Sequence, residues 1–236
     1  MLFWKTFNII KVFIVFIIGK FQLYSVKERI IKEAFKLFWR YGIKSVTMDD
    51  IAKELGISKR TIYQHYPDKE AIVILVIEQE LETQKCQMDK MDEDNLNPVA
   101  QMILGADYMR VSLAHMNPVV FHDLKKYHPH AWELFHRYKH DYIIKEIREN
   151  LIEGVETELY RKDINIDMLA ILRIEQVLMA LDPDIYPADK FNMMNVQMEF
   201  VHHFLHGILT ERGFKYYTKY MEEITQPVAL KSIKSR

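Results

Sequence analysis

The sequence predicts an all-α protein: an amino-terminal three-helix domain built on a helix-turn-helix, followed by a larger helical domain. Three observations carry that prediction. Residues Thr47 to Lys69 place Ala52, Gly56 and Ile62 where two short helices crossing steeply need a small residue, a permissive turn and an apolar anchor. Beyond Lys69, apolar residues return at helical spacing between Pro and acidic breaks, with no strand alternation, internal repeat or low-complexity tract. A chain of 236 residues, 49% hydrophobic and 28% charged, can bury a sizeable core and support one small and one larger domain.

Residues 1–24 are an apolar extension of doubtful status. Val12 to Ile18 resembles a signal-peptide core behind Lys5 and Lys11, yet no small-x-small cleavage pattern follows before Lys20. A spanning helix needs about 20 apolar residues, and Lys11 and Lys20 interrupt this one. A start assigned too far upstream is preferred over a packed helical arm, and both over a membrane anchor.

The amino-terminal domain is expected over residues 25–83. Its first helix, Val26 to Tyr41, turns Ile30, Ala34, Leu37 and Phe38 inward. Thr47 caps the second, with Asp50 in its first turn and Ile51 and Leu55 inward, and Gly56 stops it by taking a left-handed conformation. Ser58 caps a third helix whose exposed face carries Lys59, Arg60, Thr61 and Gln64, side chains that hydrogen-bond base edges or phosphates. Tyr63, His65, Tyr66 and Lys69 supply hydroxyl, imidazole and ammonium groups of the kind that clamp phosphate oxygens. Val26 to Glu70 holds ten Lys and Arg against seven acids, a net of +3 in a chain of net −1. A basic head on an acidic body suits a duplex held at one end, with salt-sensitive affinity.

These residues resemble the tetracycline-repressor (TetR) family of bacterial transcriptional regulators from about Val26 to Ile77. The resemblance rests on the amphipathic first helix, Tyr41-Gly42, the run Ser45 to Ala52, Gly56-Ile57-Ser58, Ile62-Tyr63, and the ending Tyr66-Pro67-Asp68-Lys69. It implies phosphate contacts at Thr47, Ser58, Tyr63, His65 and Lys69, and base contacts at Lys59 to Thr61 and Gln64. It also implies a homodimer on a palindromic operator of double-stranded DNA, released by a small-molecule effector that rotates the bodies, and a cytoplasmic location. A membrane-tethered sensor and a ligand-independent architectural DNA-binding protein are the rival classes.

The body is expected over residues 84–226, with a tail at 227–236. Its helices are a connecting helix from Lys69 to about Gln87, one from Pro98 to about Ala114, a pair opened by Pro118 and Pro129, the latter continuing to Asn150 or Gly154, then Asp167 to Leu181, Asp189 to Leu209 with a break near Gly213, and Lys215 to Ile224. Tyr108, Met109, His115, Phe121, His122, Trp132 and Phe135 are the candidate lining of an apolar pocket. The apolar content of the last two long helices exceeds what one bundle layer needs, and Leu172, Val196, Phe200, Phe204 and Ile208 are the expected interface.

No metal or cofactor is expected. The i, i+4 pairs His136/His140 and His202/His206 each offer two ligands, without a Cys cluster or His-Glu-x-x-His to complete a site. Catalysis has no positive signal, since the sequence carries no phosphate-binding Gly-rich loop, no Gly-x-Ser-x-Gly elbow and no evident Cys/His nucleophile pairing. Cys86, the one cysteine, is expected to be a small buried or half-buried apolar residue in a reducing cytoplasm.

Overall fold

A computed structural model describes residues 25–92, 96–113, 116–187 and 189–225. The amino-terminal extension and the tail expected at 227–236 lie outside those residues. Among the described residues the chain is helical, with one isolated antiparallel bridge between Tyr160 and Leu209 and no named strand.

The head comprises α1 (Val26–Tyr41), α2 (Met48–Leu55) and α3 (Lys59–Tyr63). Ser25 and Glu28 form a reciprocal capping box on α1, whose Ile30, Ala34 and Phe38 are fully buried. The body follows with α4 (Lys69–Asp92), α5 (Pro98–Leu113), α6 (Val119–Tyr127), α7 (Pro129–Tyr138), a π-helical turn (Lys139–Ile143), α8 (Ile144–Glu156), α9 (Ile166–Ala180), α10 (Met193–Ile208) and α11 (Glu211–Thr225). α4 begins beneath the head and continues unbroken into the body, so position 83 lies inside a helix.

Two large apolar clusters organise the molecule. One joins the head to the near end of the body: Ile30, Phe38, Ile51 and Ile62 continue through Ile72 and Val76 to Val120, Leu124 and Phe135. The other joins α5, α8, α9, α10 and α11 around Ile103, Leu151, Tyr160, Val201 and Leu205. Each fully buried aliphatic side chain contributes about 1.5–3 kcal/mol of transfer free energy, so burial dominates both halves.

Three expected boundaries shift, each for a local reason. The helix opened by Pro129 is not continuous but widens to i→i+5 bonding over Lys139–Ile143. Here Lys139 is buried while its Nζ donates to Glu175 Oε1 at 2.8 Å. The helix expected from Asp189 starts at Met193, because the Asn192 side chain accepts from the backbone N–H groups of Met194 and Asn195. The break expected near Gly213 falls at Leu209 and Thr210 instead, where the Thr210 hydroxyl accepts from Gly213 N at 3.1 Å and opens α11.

Candidate DNA-binding surface and ligand cavity

The helix-turn-helix is fixed by its caps. Thr47 Oγ1 accepts from Asp50 N at 3.2 Å, and the Asp50 carboxylate accepts from Thr47 N at 2.8 Å and Thr47 Oγ1 at 2.7 Å. The Thr47 hydroxyl, then the Thr47 backbone N–H, hold the Asp50 carboxyl below its ordinary range. Gly56 takes φ 64° and ψ 31°, the left-handed conformation that a side chain resists, and ends α2. Ser58 Oγ then accepts from Thr61 N at 3.1 Å and starts α3, which Ile62 anchors in the core.

Lys59, Arg60, Tyr63 and Gln64 consequently stand out from the head, with Thr61 and His65 half-buried beside them. Lys59 Nζ donates to Asp49 Oδ2 at 2.6 Å, a bond that raises the affinity of the amine for its proton. Both partners are exposed, so the pair opens at small cost. Tyr66 corrects the expected rim: it is buried, and its hydroxyl donates inward to the Lys27 carbonyl at 3.2 Å. Lys69 is also turned inward, its Nζ donating to the Ile43 carbonyl 5.8 Å from the Phe38 ring centroid, and burial lowers its pKa.

The head is bolted to the body along α6. Asn117 N donates to the Trp39 carbonyl at 2.7 Å, and Lys44 N donates to Asp123 Oδ2 at 2.8 Å. Lys44 Nζ reaches the Tyr127 hydroxyl at 3.0 Å, and Glu70 bonds the His128 ring. Gly42 sits at φ 85° against Val119, where a Cβ would collide with the valine side chain.

Inside the body, a cavity of about 150 Å³ opens between α4, α5, α7, α8 and α9. Most of its exposed wall is apolar, including Met102, Met109, Ile147 and Ile174, with Gln84, Gln101, Tyr108, Tyr138, Glu146, Asn150 and Arg173 as polar members. A second space of about 50 Å³ adjoins it, sharing Met109, Ile143 and Ile174 and walled further by Val120, Phe121, Leu124 and Phe135.

The structure divides the expected pocket residues. Tyr108 and Met109 line the larger cavity, and Met109, Phe121 and Phe135 the smaller. His122 is exposed, because α6 turns Val120, Asp123 and Leu124 inward and the next position outward. Trp132 packs between Phe135 and His136 with ring centroids at 5.3 and 5.2 Å and lines neither space. His115 lies outside the described residues. Most of the larger cavity's wall was missed by sequence reading, and within it Arg173, a guanidinium in the apolar run of α9 whose i+1 and i+4 neighbours Ile174 and Val177 share the wall. That spacing was the available signal.

Of the five expected interface residues, Val196, Phe204 and Ile208 are buried within their own chain. α10 turns Phe204 and Ile208 toward the second core, so with Val196 also buried the three offer little surface to another subunit. Leu172 is 46% exposed, in a stripe on α9 with Met168, Ile171 and Met179. Phe200 is half-buried, edge-on to Tyr186. The histidine pairs gather no third ligand, for no group of three or more His, Cys, Asp or Glu able to hold a metal occurs among the described residues. Cys86 is exposed.

A helix-turn-helix that presents lysine, arginine, glutamine and tyrosine on one convex face defines a DNA-binding regulator. A family profile described as "Bacterial regulatory proteins, tetR family" matches residues 30–76. The uncharacterized HTH-type transcriptional regulator YvaF of Bacillus subtilis (strain 168) is 32% identical over 167 residues, covering 68% of this chain and 83% of that protein. A TetR-family regulator from Agrobacterium tumefaciens superposes with a TM-score of 0.66 at 17% identity, covering 78% of this chain and 97% of its own. A putative regulator from Saccharomonospora viridis, solved in complex with choline, gives 0.65 at 18% identity over 78% and 98%. The chain belongs to the TetR family and is a DNA-binding transcriptional regulator.

Proposed function

We propose that the chain is a ligand-released repressor that binds a palindromic operator as a homodimer and works in the cytoplasm without catalysis. One observation carries the release mechanism. α6 walls the smaller cavity with Val120, Phe121 and Leu124, while Asp123 of the same helix holds the head through Lys44 N. Filling the cavities displaces α6, and α6 displaces the head. A ligand must fit one position of α6 better than the other, since equal affinity shifts nothing. The choline bound by the Saccharomonospora viridis protein supports a small molecule as effector in this fold. Among the described residues no helix is long and apolar enough to cross a membrane.

Phosphate contacts are assigned to Thr47, Ser58, Tyr63 and His65, and base contacts to Lys59, Arg60, Thr61 and Gln64. The exposed stripe Met168, Ile171, Leu172 and Met179 supports pairing through α9, with Phe200 at its margin. The test is selection of binding sites from random duplexes, followed by footprinting on the best site. A two-fold symmetric footprint of two half-sites is expected. Leu172→Glu should break the dimer in sedimentation and cost at least about tenfold in affinity for the full palindrome, with little effect on an isolated half-site, because it places two carboxylates across the axis. A dimeric variant with full operator affinity puts the interface elsewhere.

A further inference from the structure

We propose that the effector is a small amphipathic carboxylate, its anionic head held by Arg173 and Tyr138 and its chain lying along the apolar wall of the body cavity. This rests on the regulator reading above for its biological role, but not for its binding chemistry. The argument starts from a cost. Arg173 is buried, its Nη1 has no protein hydrogen-bond partner, and the cavity is what it borders. An unpaired buried charge is among the most expensive features a core can hold, and a native one calls for an explanation. Burial draws the guanidinium down to about 10, which leaves it a cation at neutral pH. Glu146 also borders the cavity and has an interaction of its own, whereas Arg173 Nη1 has none.

A second orphan stands on the same wall. The Tyr138 hydroxyl is buried without a partner, and desolvation pushes its pKa up, so it remains a donor. A guanidinium edge and a phenol O–H together match the two oxygens of one carboxylate, the acceptor that arginine binds with the best geometry. Met102, Met109, Ile147 and Ile174 share the wall with them, and most of its exposed area is apolar, which favours an anion carrying a hydrocarbon body. A space of about 150 Å³ has room for a benzene-sized group, and the adjoining space through Met109 and Ile143 lengthens the room for a chain.

The experiment is calorimetric titration of the full chain with three eight-carbon probes: octanoate, 1-octanol and octylamine. Octanoate should bind at least about tenfold more tightly than either isostere, the worth of a charge-assisted hydrogen bond. Arg173→Met should erase that preference and leave 1-octanol binding unchanged, while Arg173→Lys, which keeps the charge, should retain part of it. If Arg173→Met loses its helical circular dichroism, the wild-type selectivity and Tyr138→Phe decide instead; the latter should weaken octanoate severalfold and 1-octanol not at all. Equal binding of the three probes, binding of none, or an acid preference that survives in Arg173→Met overturns the proposal. Operator affinity is read alongside. A chain that binds its operator but shows no acid preference refutes the ligand class alone, and one that binds octanoate without leaving the operator refutes release alone.

Discussion

The head and the body satisfy their polar groups to opposite degrees. In the head, Ser25, Thr47 and Ser58 each cap a helix, Tyr66 and Lys69 give their donors to backbone carbonyls, and Lys59 rests on Asp49. Among the described residues, Tyr138, Arg173 and Gln176 of the body each leave a buried polar atom without a protein partner, and so does Glu70 where α4 begins beneath the head. The caps hold the head in one shape, whereas the body keeps two of its unpaired groups, Tyr138 and Arg173, beside a cavity. A rigid reader coupled to an adaptable chamber is what a switch requires, since only the chamber needs two states of similar free energy.

Paired truncations give the sharpest way to break this comparison. Phe38→Ala removes a fully buried ring from the head core and should cost about 3–5 kcal/mol, read from denaturant unfolding. Met109→Ala, at the wall shared by both cavities, should cost less than about 2 kcal/mol, because a residue beside existing space has fewer contacts to lose. Equal losses would mean that the body is packed as tightly as the head.

An intermediate effect is expected on the DNA side. Tyr63 is exposed on α3, and Tyr63→Phe removes one hydroxyl and with it about 0.5–1.5 kcal/mol of binding to any duplex. Stability should not change. Sequence-dependent loss would instead make Tyr63 a base reader, and no loss at low or moderate salt would remove it from the contact surface.

The smallest effect comes from titration of the capping box. Because the Asp50 carboxyl is held low in the folded chain, its contribution is present above its ordinary unfolded value and lost as pH falls through the folded one. The stability gap between wild type and Asp50→Asn should therefore be constant near neutrality and shrink below about pH 4. A gap that stays unchanged down to pH 2 would show that Thr47 holds the helix without help from the carboxylate.

What the sequence made legible follows the same division. The caps of α2 and α3, the left-handed Gly56 and the inward face of α1 are local consequences of residue type, and they appear in the structure where the spacing places them. The inward turn of Tyr66 and Lys69 was hidden, because their acceptors at Lys27 and Ile43 are distant in sequence. The body was legible as helices but not as a cavity. Tyr108 and Met109 share a wall with Arg173 only because α5 and α9 both pack against α8 and α10, and the π-helical turn that presents Ile143 has no composition signal of its own. Phe204 and Ile208 looked like surplus apolar surface until a neighbouring core took them in.

Gly42 has a consequence for mutational tolerance. Head and body meet there where a bare backbone lies against the side chain of Val119, at a φ of 85° that disfavours every other residue. Most surface positions around the joint can drift with little effect. At this one, the smallest possible substitution both strains the main chain and drives a methyl group into α6. Mutants locked in one regulatory state, bound or released regardless of effector, should therefore be recovered at codon 42 more readily than at its neighbours.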